Sequence, residues 1–205
     1  MRVLNLYAGV GGNRQLWRDC EVTAIESNPA IAKIYAKRFP EDTVIVTDAH
    51  DYLLQHSDEF DFIWSSPPCP THSRMMKATR HRLRRYPDMR LYEEILFLQH
   101  FFKGWWVVEN VIPYYEPLIP PTGSIERHLF WSNLPIPSVD LPPKTDFIRT
   151  ATLEGRHKLL EWLGMEFFEE VVYLPGSHDP CRILRNCVHP LIGEAIMDEC
   201  RGLVA

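Results

Sequence analysis

Short β-prone runs, most of them continuously apolar, recur along the chain at 3–7, 22–25, 43–46, 60–64, 105–108 and 129–131. Unbroken apolarity over so few residues predicts strands covered on both faces rather than strands with one face in water. Stretches of helical character lie between them at 13–20, 29–39 and 90–103. The last places Leu91, Ile95, Leu98 and Phe102 three or four residues apart, one apolar stripe on a helix. Strands alternating with helices predict an α/β domain, a mostly parallel sheet with helices on both faces.

The pattern changes after Asn133. Four prolines fall within 134–146, a connector that neither a helix nor a central strand tolerates. Beyond it the pattern predicts a short helix at 155–163, a strand at 170–174 and a terminal amphipathic helix at 189–201. The chain thus divides into a core of 1–133 plus 182–205 and a small inserted lobe at 134–181. Its 205 residues suit one domain with such an attachment.

Composition narrows the classes. A 45% hydrophobic content supplies a packed core, and 24% charged residues spread along the chain argue against disorder. The apolar runs are too short to span a bilayer, and the opening residues enter a strand without a signal-peptide layout. A cytoplasmic protein with no membrane partner is expected. Cys20, Cys69, Cys181, Cys187 and Cys200 form no CxxC pair and no zinc ladder, so free thiols and no metal site are expected.

The formal charge of −5 hides an asymmetry. Residues 71–90 hold seven basic and one acidic residue, a local +6, against 15 basic and 26 acidic elsewhere. Such a strip is either a solvated amphipathic helix or a segment that grips a polyanion. Its Arg74, Lys77, Arg80, Arg82, Arg84 and Arg85, with Ser73, are candidate nucleic-acid contacts, and Arg156 and Lys158 of the lobe are others.

The first strand runs into Tyr7-Ala-Gly-Val-Gly-Gly12 and then the predicted helix, a turn where a ligand can lie on bare backbone. The spacing is not GxGxxG, which argues against a dinucleotide pyrophosphate. Glu26, at the end of the second strand, is placed to accept from both hydroxyls of a ribose, and Asp48, after the third, to accept from an adenine amine. Together they predict a ligand containing adenosine.

The fourth strand leads into Pro67-Pro-Cys69, a rigid turn that fixes where a thiol points. The fifth ends in Glu109-Asn-Val111, beside Cys69 if the two strands are parallel neighbours. An acid behind four apolar residues is poorly solvated and suited to proton donation near neutrality. A nucleophile, an acid and an adjoining basic strip point to covalent chemistry on a nucleic-acid base.

This ordered set, with Arg127 and Arg185-Asn-Cys-Val188, resembles the cytosine-5 DNA methyltransferase family over nearly the whole chain, and the short lobe resembles that of small phage-type members. The resemblance implies a Rossmann-like fold and S-adenosylmethionine as cofactor. It implies that Tyr7, Gly9, Gly11, Gly12, Glu26, Asp48, Pro67 and Asn186 hold that cofactor. Cys69 would add to carbon 6 of a flipped-out cytosine, Glu109 would bind the base's N3 edge and Arg127 its carbonyl oxygen. Pro70 stands where a glutamine is common, and Ser27 where an apolar residue often faces adenine. Double-stranded DNA is the expected partner, with a second copy or accessory subunit to supplement the short lobe. An RNA cytosine-5 methyltransferase, a catalytically idle binding protein and a nicotinamide oxidoreductase are the competing readings.

Overall fold

The structure, a computed structural model, describes residues 1–74, 86–143, 151–166, 168–174 and 176–204. Among these residues, one sheet is built from β1 (Arg2–Leu6), β2 (Glu21–Ile25), β3 (Thr43–Ile45), β4 (Phe62–Ser65), β5 (Trp105–Val111), β6 (Gly123–Ile125) and β7 (His128–Ser132). Their order is β3-β2-β1-β4-β5-β7-β6. The first five strands pair in parallel, and β7 runs antiparallel between β5 and β6. The helices are α1 (Pro29–Arg38), α2 (Ala49–His56), α3 (Arg90–Phe101), α4 (Leu153–Trp162), α5 (Arg182–Arg185) and α6 (Pro190–Val204).

The apolar strands serve both faces because successive side chains alternate. Val3, Val22, Phe62, Trp64 and Val107 meet Ile192, Ile196 and Met197 of α6 on one side. Leu4, Leu6, Ile63 and Val108 meet Leu53 of α2 and Leu91, Ile95 and Leu98 of α3 on the other. Each such buried aliphatic side chain contributes roughly 1.5–3 kcal/mol. Helices therefore cover both faces of a mostly parallel sheet, as the pattern predicts. Among the described residues no helix is long and apolar enough to cross a membrane.

The helix predicted at 13–20 is instead a run of turns. Asn13 Nδ2 donates to Asn5 Oδ1 at 2.8 Å, and Asp19 takes a left-handed φ of 50°. Gly193 of α6 packs directly on this backbone, since a Cβ there would lie 2.0 Å from the Asn13 carbonyl oxygen. The strand predicted at 170–174 makes no ladder. Its neighbourhood is held by Arg156, whose Nη2 donates to the carbonyls of Phe168 (2.6 Å) and Glu170 (2.9 Å). Helix α2 and strand β6, which the hydrophobic pattern does not predict, are short; Asp48 caps α2 by accepting from Asp51 N–H at 3.1 Å.

The described part of 134–181 packs on the rest of the molecule. Ile136, Val139 and Leu141 lie against the cluster under α6. Leu159 and Leu160 of α4 close a cluster with Val10, Ile31 and Ile34, and with Ile183 and Leu184 of α5.

Candidate active site

The chain leaves β1 toward β2 on one side and later returns to β4 on the other, so the sheet's topology switches between these two strands. Ligands of open α/β sheets bind at such a point, outside the carboxyl ends of the strands. A cavity of about 360 Å³ opens there. Tyr7, Gly9 and Gly12 follow β1, Glu26 follows β2, Cys69 follows β4, and Glu109 and Asn110 end β5; all line it. Arg127 and His128 at the start of β7, and Arg182, Arg185 and Asn186 from α5 and its cap, close the remaining wall. A second cavity of about 110 Å³ shares Tyr7, Ser27, Pro67 and Pro68 with the first and extends to Asp48 and Arg90.

The glycine loop is dictated by its neighbours. Gly11 takes φ +79°, and a Cβ there would fall 2.2 Å from an atom of the Phe39 ring. At Gly12 a Cβ would lie 2.5 Å from the Val188 carbonyl oxygen, so only glycine lets the returning segment approach this closely. Glu26 ties the loop to β2: its carboxylate accepts from Gly9 N–H at 3.0 Å and Asn28 N–H at 2.8 Å. Burial pushes the Glu26 carboxyl above its ordinary range, and these two N–H groups oppose the rise. Gly11, expected among the cofactor-holding residues, shapes the loop by its left-handed φ but does not itself line the cavity.

Asp48 faces the second cavity, where Arg90 Nη1 reaches it at 3.1 Å. Burial acts to raise its pKa, but hydrogen bonds from Asp51 N–H and Arg90 outweigh that and hold it below the usual carboxylate value.

Around Cys69 the turn is fixed from several sides. His72 N–H and Ser73 N–H both donate to the Cys69 carbonyl at 3.0 Å. Asn110 Nδ2 donates to the Pro67 carbonyl at 2.9 Å and so binds this turn to the end of β5. Burial, and then the nearby Glu109 carboxylate, raise the Cys69 thiol pKa; Arg127 and Arg182 oppose them. Arg127 is itself held by donating to the Arg185 carbonyl, and Arg185 pairs with Asp179.

Glu109 has a partner that the sequence reading does not assign. His128 Nδ1 lies 2.5 Å from Glu109 Oε1, both residues buried at 6% exposure. In the antiparallel register Glu109 faces Phe130 and Val111 faces His128, so the pair are diagonal neighbours on one face. The two side chains are thus joined by one short hydrogen bond. A histidine directly after Arg127, just ahead of the strand predicted at 129–131, is the signal that the sequence offers; the antiparallel pairing that makes it matter is not legible there.

The candidate nucleic-acid contacts divide. Ser73 bridges Pro113 just past Cys69, and Arg74 is exposed beside it. Lys77, Arg80, Arg82, Arg84 and Arg85 lie outside the described residues. Lys158 is exposed on α4, 2.6 Å from Glu154. Arg156 is a correction: only 1% exposed, it spends its guanidinium on the Phe168 and Glu170 carbonyls and lies over the Phe168 ring, so it offers nothing to an external ligand.

Comparison with known proteins finds a family profile described as C-5 cytosine-specific DNA methylase matching residues 1–112. A human tRNA (cytosine(38)-C(5))-methyltransferase is 33% identical over 82 residues, which is 37% of this chain and 21% of that protein. The chain thus spans about a fifth of the length of that curated relative. Among solved structures, the Entamoeba histolytica methyltransferase EhMeth matches 100% of this chain and 99% of its own, at TM-score 0.60 and 12% identity, a likeness of fold. A mutant of Spodoptera frugiperda DNMT2 matches 54% of this chain and 35% of its own at 25% identity and TM-score 0.42.

Proposed function

Because the chain belongs to the C-5 cytosine-specific DNA methylase family, whose cofactor is S-adenosylmethionine, we propose that it methylates carbon 5 of cytosine in DNA through a covalent adduct on Cys69. The observation that carries this reading is the convergence of Cys69, Glu109 and Arg127 with the glycine loop and Glu26 on one cavity at the switch point of the sheet.

The residues present fit the cofactor. The Glu26 carboxylate, fixed by two backbone N–H groups, is an acceptor suited to a ribose diol, and the loop presents bare backbone because Gly11 and Gly12 admit no side chain. Tyr7, Gly9, Gly12, Pro67 and Asn186 would enclose the group, and Asp48 in the adjoining cavity would accept from the adenine amine. When bound, S-adenosylmethionine supplies an electrophilic methyl group.

Cys69 must first lose its proton; its sulfur then bonds to carbon 6 of cytosine, and the carbon 5–carbon 6 π electrons move to carbon 5. Glu109 would serve as the acid that protonates N3, where negative charge would otherwise accumulate, and His128 would hold its carboxyl in place. Arg127 and Arg182 favour the thiolate against burial. After methylation, a water takes the carbon 5 proton, the electrons of that bond restore the carbon 5–carbon 6 double bond and expel the thiolate, and the N3 proton returns to Glu109. A base inside a duplex is out of reach of Cys69, so the target is flipped out, at a cost of a few kcal/mol. Phosphate contacts by Ser73, Arg74 and Lys158, and by the basic residues between 75 and 85, would offset this.

RNA is the second reading, favoured by the resemblance to the human tRNA enzyme. Incubation with S-adenosylmethionine and oligonucleotides containing 5-fluorocytosine, followed by a denaturing gel, separates the two. Fluorine cannot leave carbon 5 as a proton does, so the adduct persists. A DNA adduct absent in Cys69→Ser is the expected result; an adduct with RNA alone would move the substrate to RNA. No adduct with either would overturn the covalent reading.

A further inference from the structure

Glu94 breaks the rule of its helix. It occupies the buried stripe of α3 between Leu91 and Leu98 and is 0% exposed. An apolar residue there would avoid the penalty of burying a carboxylate. What Glu94 gains is three polar neighbours from three different elements. Its Oε1 accepts from the Tyr7 hydroxyl at 2.6 Å, and its Oε2 from the Ser65 hydroxyl at 2.6 Å. His50 Nδ1 of α2 approaches Oε1 at 3.2 Å.

The two hydroxyls mark the two sides of the topological switch. Tyr7 is the first residue after β1; it takes φ +55°, a strained left-handed conformation for a side-chain-bearing residue, and its side lines both cavities. Ser65 is the last residue of β4, four positions before Cys69, and is itself fully buried. One carboxylate therefore fixes the turn that shapes the cofactor loop and the strand exit that aims the thiol. Charge-assisted hydrogen bonds from hydroxyls are short and directional, so small displacements of either loop are resisted. The Glu94 contact raises the His50 pKa, and burial opposes the rise.

We propose that Glu94 is a positioning residue that couples the cofactor loop to the nucleophile turn, so that loosening either arm is felt at the other. The proposal rests on the reading of the large cavity as the site of S-adenosylmethionine and Cys69. Ser65 lines neither cavity, which makes it the informative arm. Calorimetry with S-adenosylhomocysteine, and mass spectrometry of iodoacetamide labelling at Cys69, read the two ends without requiring a nucleic acid.

Glu94→Gln and Tyr7→Phe are expected to weaken S-adenosylhomocysteine by about tenfold, the loss of one charge-assisted hydrogen bond, and Ser65→Ala by about threefold. The Tyr7→Phe, Ser65→Ala pair should lose no more than Tyr7→Phe alone, because both act through Glu94. Each variant should also change the Cys69 labelling rate at least threefold, a readout that mere destabilisation of a folded protein does not move. Tyr7→Phe and Ser65→Ala decide the question should Glu94→Gln fail to fold. Wild-type binding that all folded variants leave within twofold, with unchanged labelling, would overturn the positioning role alone. A wild type that binds no S-adenosylhomocysteine would overturn the cofactor reading and this role together.

Discussion

The strand edge that carries Gly9, Glu26, Cys69 and Glu109 and the segment at 134–181 meet at one cavity, yet they reach it by different means. Each group on the edge sits at the end of a ladder-paired strand or within four residues of one, and its loop is then pinned. Glu26 accepts from two N–H groups, and Asn110 holds the Pro67 carbonyl. The segment at 134–181 contributes Leu174 to the wall and, among its described residues, a single helix, α4. The strand predicted at 170–174 forms no ladder, and the buried Arg156 instead holds the chain at residues 168 and 170. On the proposed reading, chemistry is thus mounted on rigid elements, while the segment at 134–181 is tied down by side chains at a few points.

Breaking the edge should have the largest effect. Glu109→Gln removes the acid but keeps its shape, and should lower single-turnover methyl transfer by about 10²–10⁴-fold. Calorimetry with S-adenosylhomocysteine should change by less than threefold, because the carboxylate serves the base and not the cofactor. A loss of turnover below tenfold would remove Glu109 from the chemistry. His128→Ala should approach the same loss, since it takes away the partner that holds the Glu109 carboxyl.

The segment at 134–181 should respond in a different currency. Arg156→Ala removes two charge-assisted hydrogen bonds and a cation–π contact, and should destabilise the protein by about 2 kcal/mol or more. For a domain of this size that lowers Tm by about 4–8 °C. The salt dependence of nucleic-acid binding by a Cys69→Ser background should not change. Lys158→Ala should do the reverse, leaving Tm in place and reducing the salt slope by about 0.9 on duplex DNA. If Arg156→Ala flattens the salt slope instead, the segment presents its arginine after all; if Lys158→Ala leaves the slope intact, α4 is no contact surface.

The same contrast explains what was legible in the sequence. Runs such as 3–7 and 105–108 read as strands because burial on both faces leaves them almost wholly apolar, and the residues next after them stand out as a site against that background. The turn run at 13–20 defeated the reading: its apolar positions suit a helix, but Asn5 and Gly193, 8 and 180 residues from Asn13, decide its path. Local pattern carries no such information. Arg156 misled for a related reason, since a positive charge looks the same in sequence whether it meets phosphate or two carbonyls. Glu94 was legible in principle, being an acid at a stripe position between Leu91 and Leu98.

The smallest effect tests the electrostatics of the nucleophile. The thiol loses a proton to become an anion, so burial and the neighbouring Glu109 raise its pKa, while Arg127 lowers it. Iodoacetamide reacts with the thiolate. Labelling of free Cys69 should therefore rise about tenfold per pH unit across neutral pH and level off only above the ordinary thiol value of about 8.5. Arg127→Ala removes a stabilising cation and should move that midpoint higher still, slowing labelling at pH 8 while leaving the alkaline plateau unchanged. Mass spectrometry of the peptide carrying Cys69 separates it from Cys187, whose thiol burial pushes up to about 11. A midpoint at or below 8.5 in the wild type would mean that the arginines, and not burial, govern the resting thiol, and the edge would then hold its nucleophile already activated before any substrate arrives.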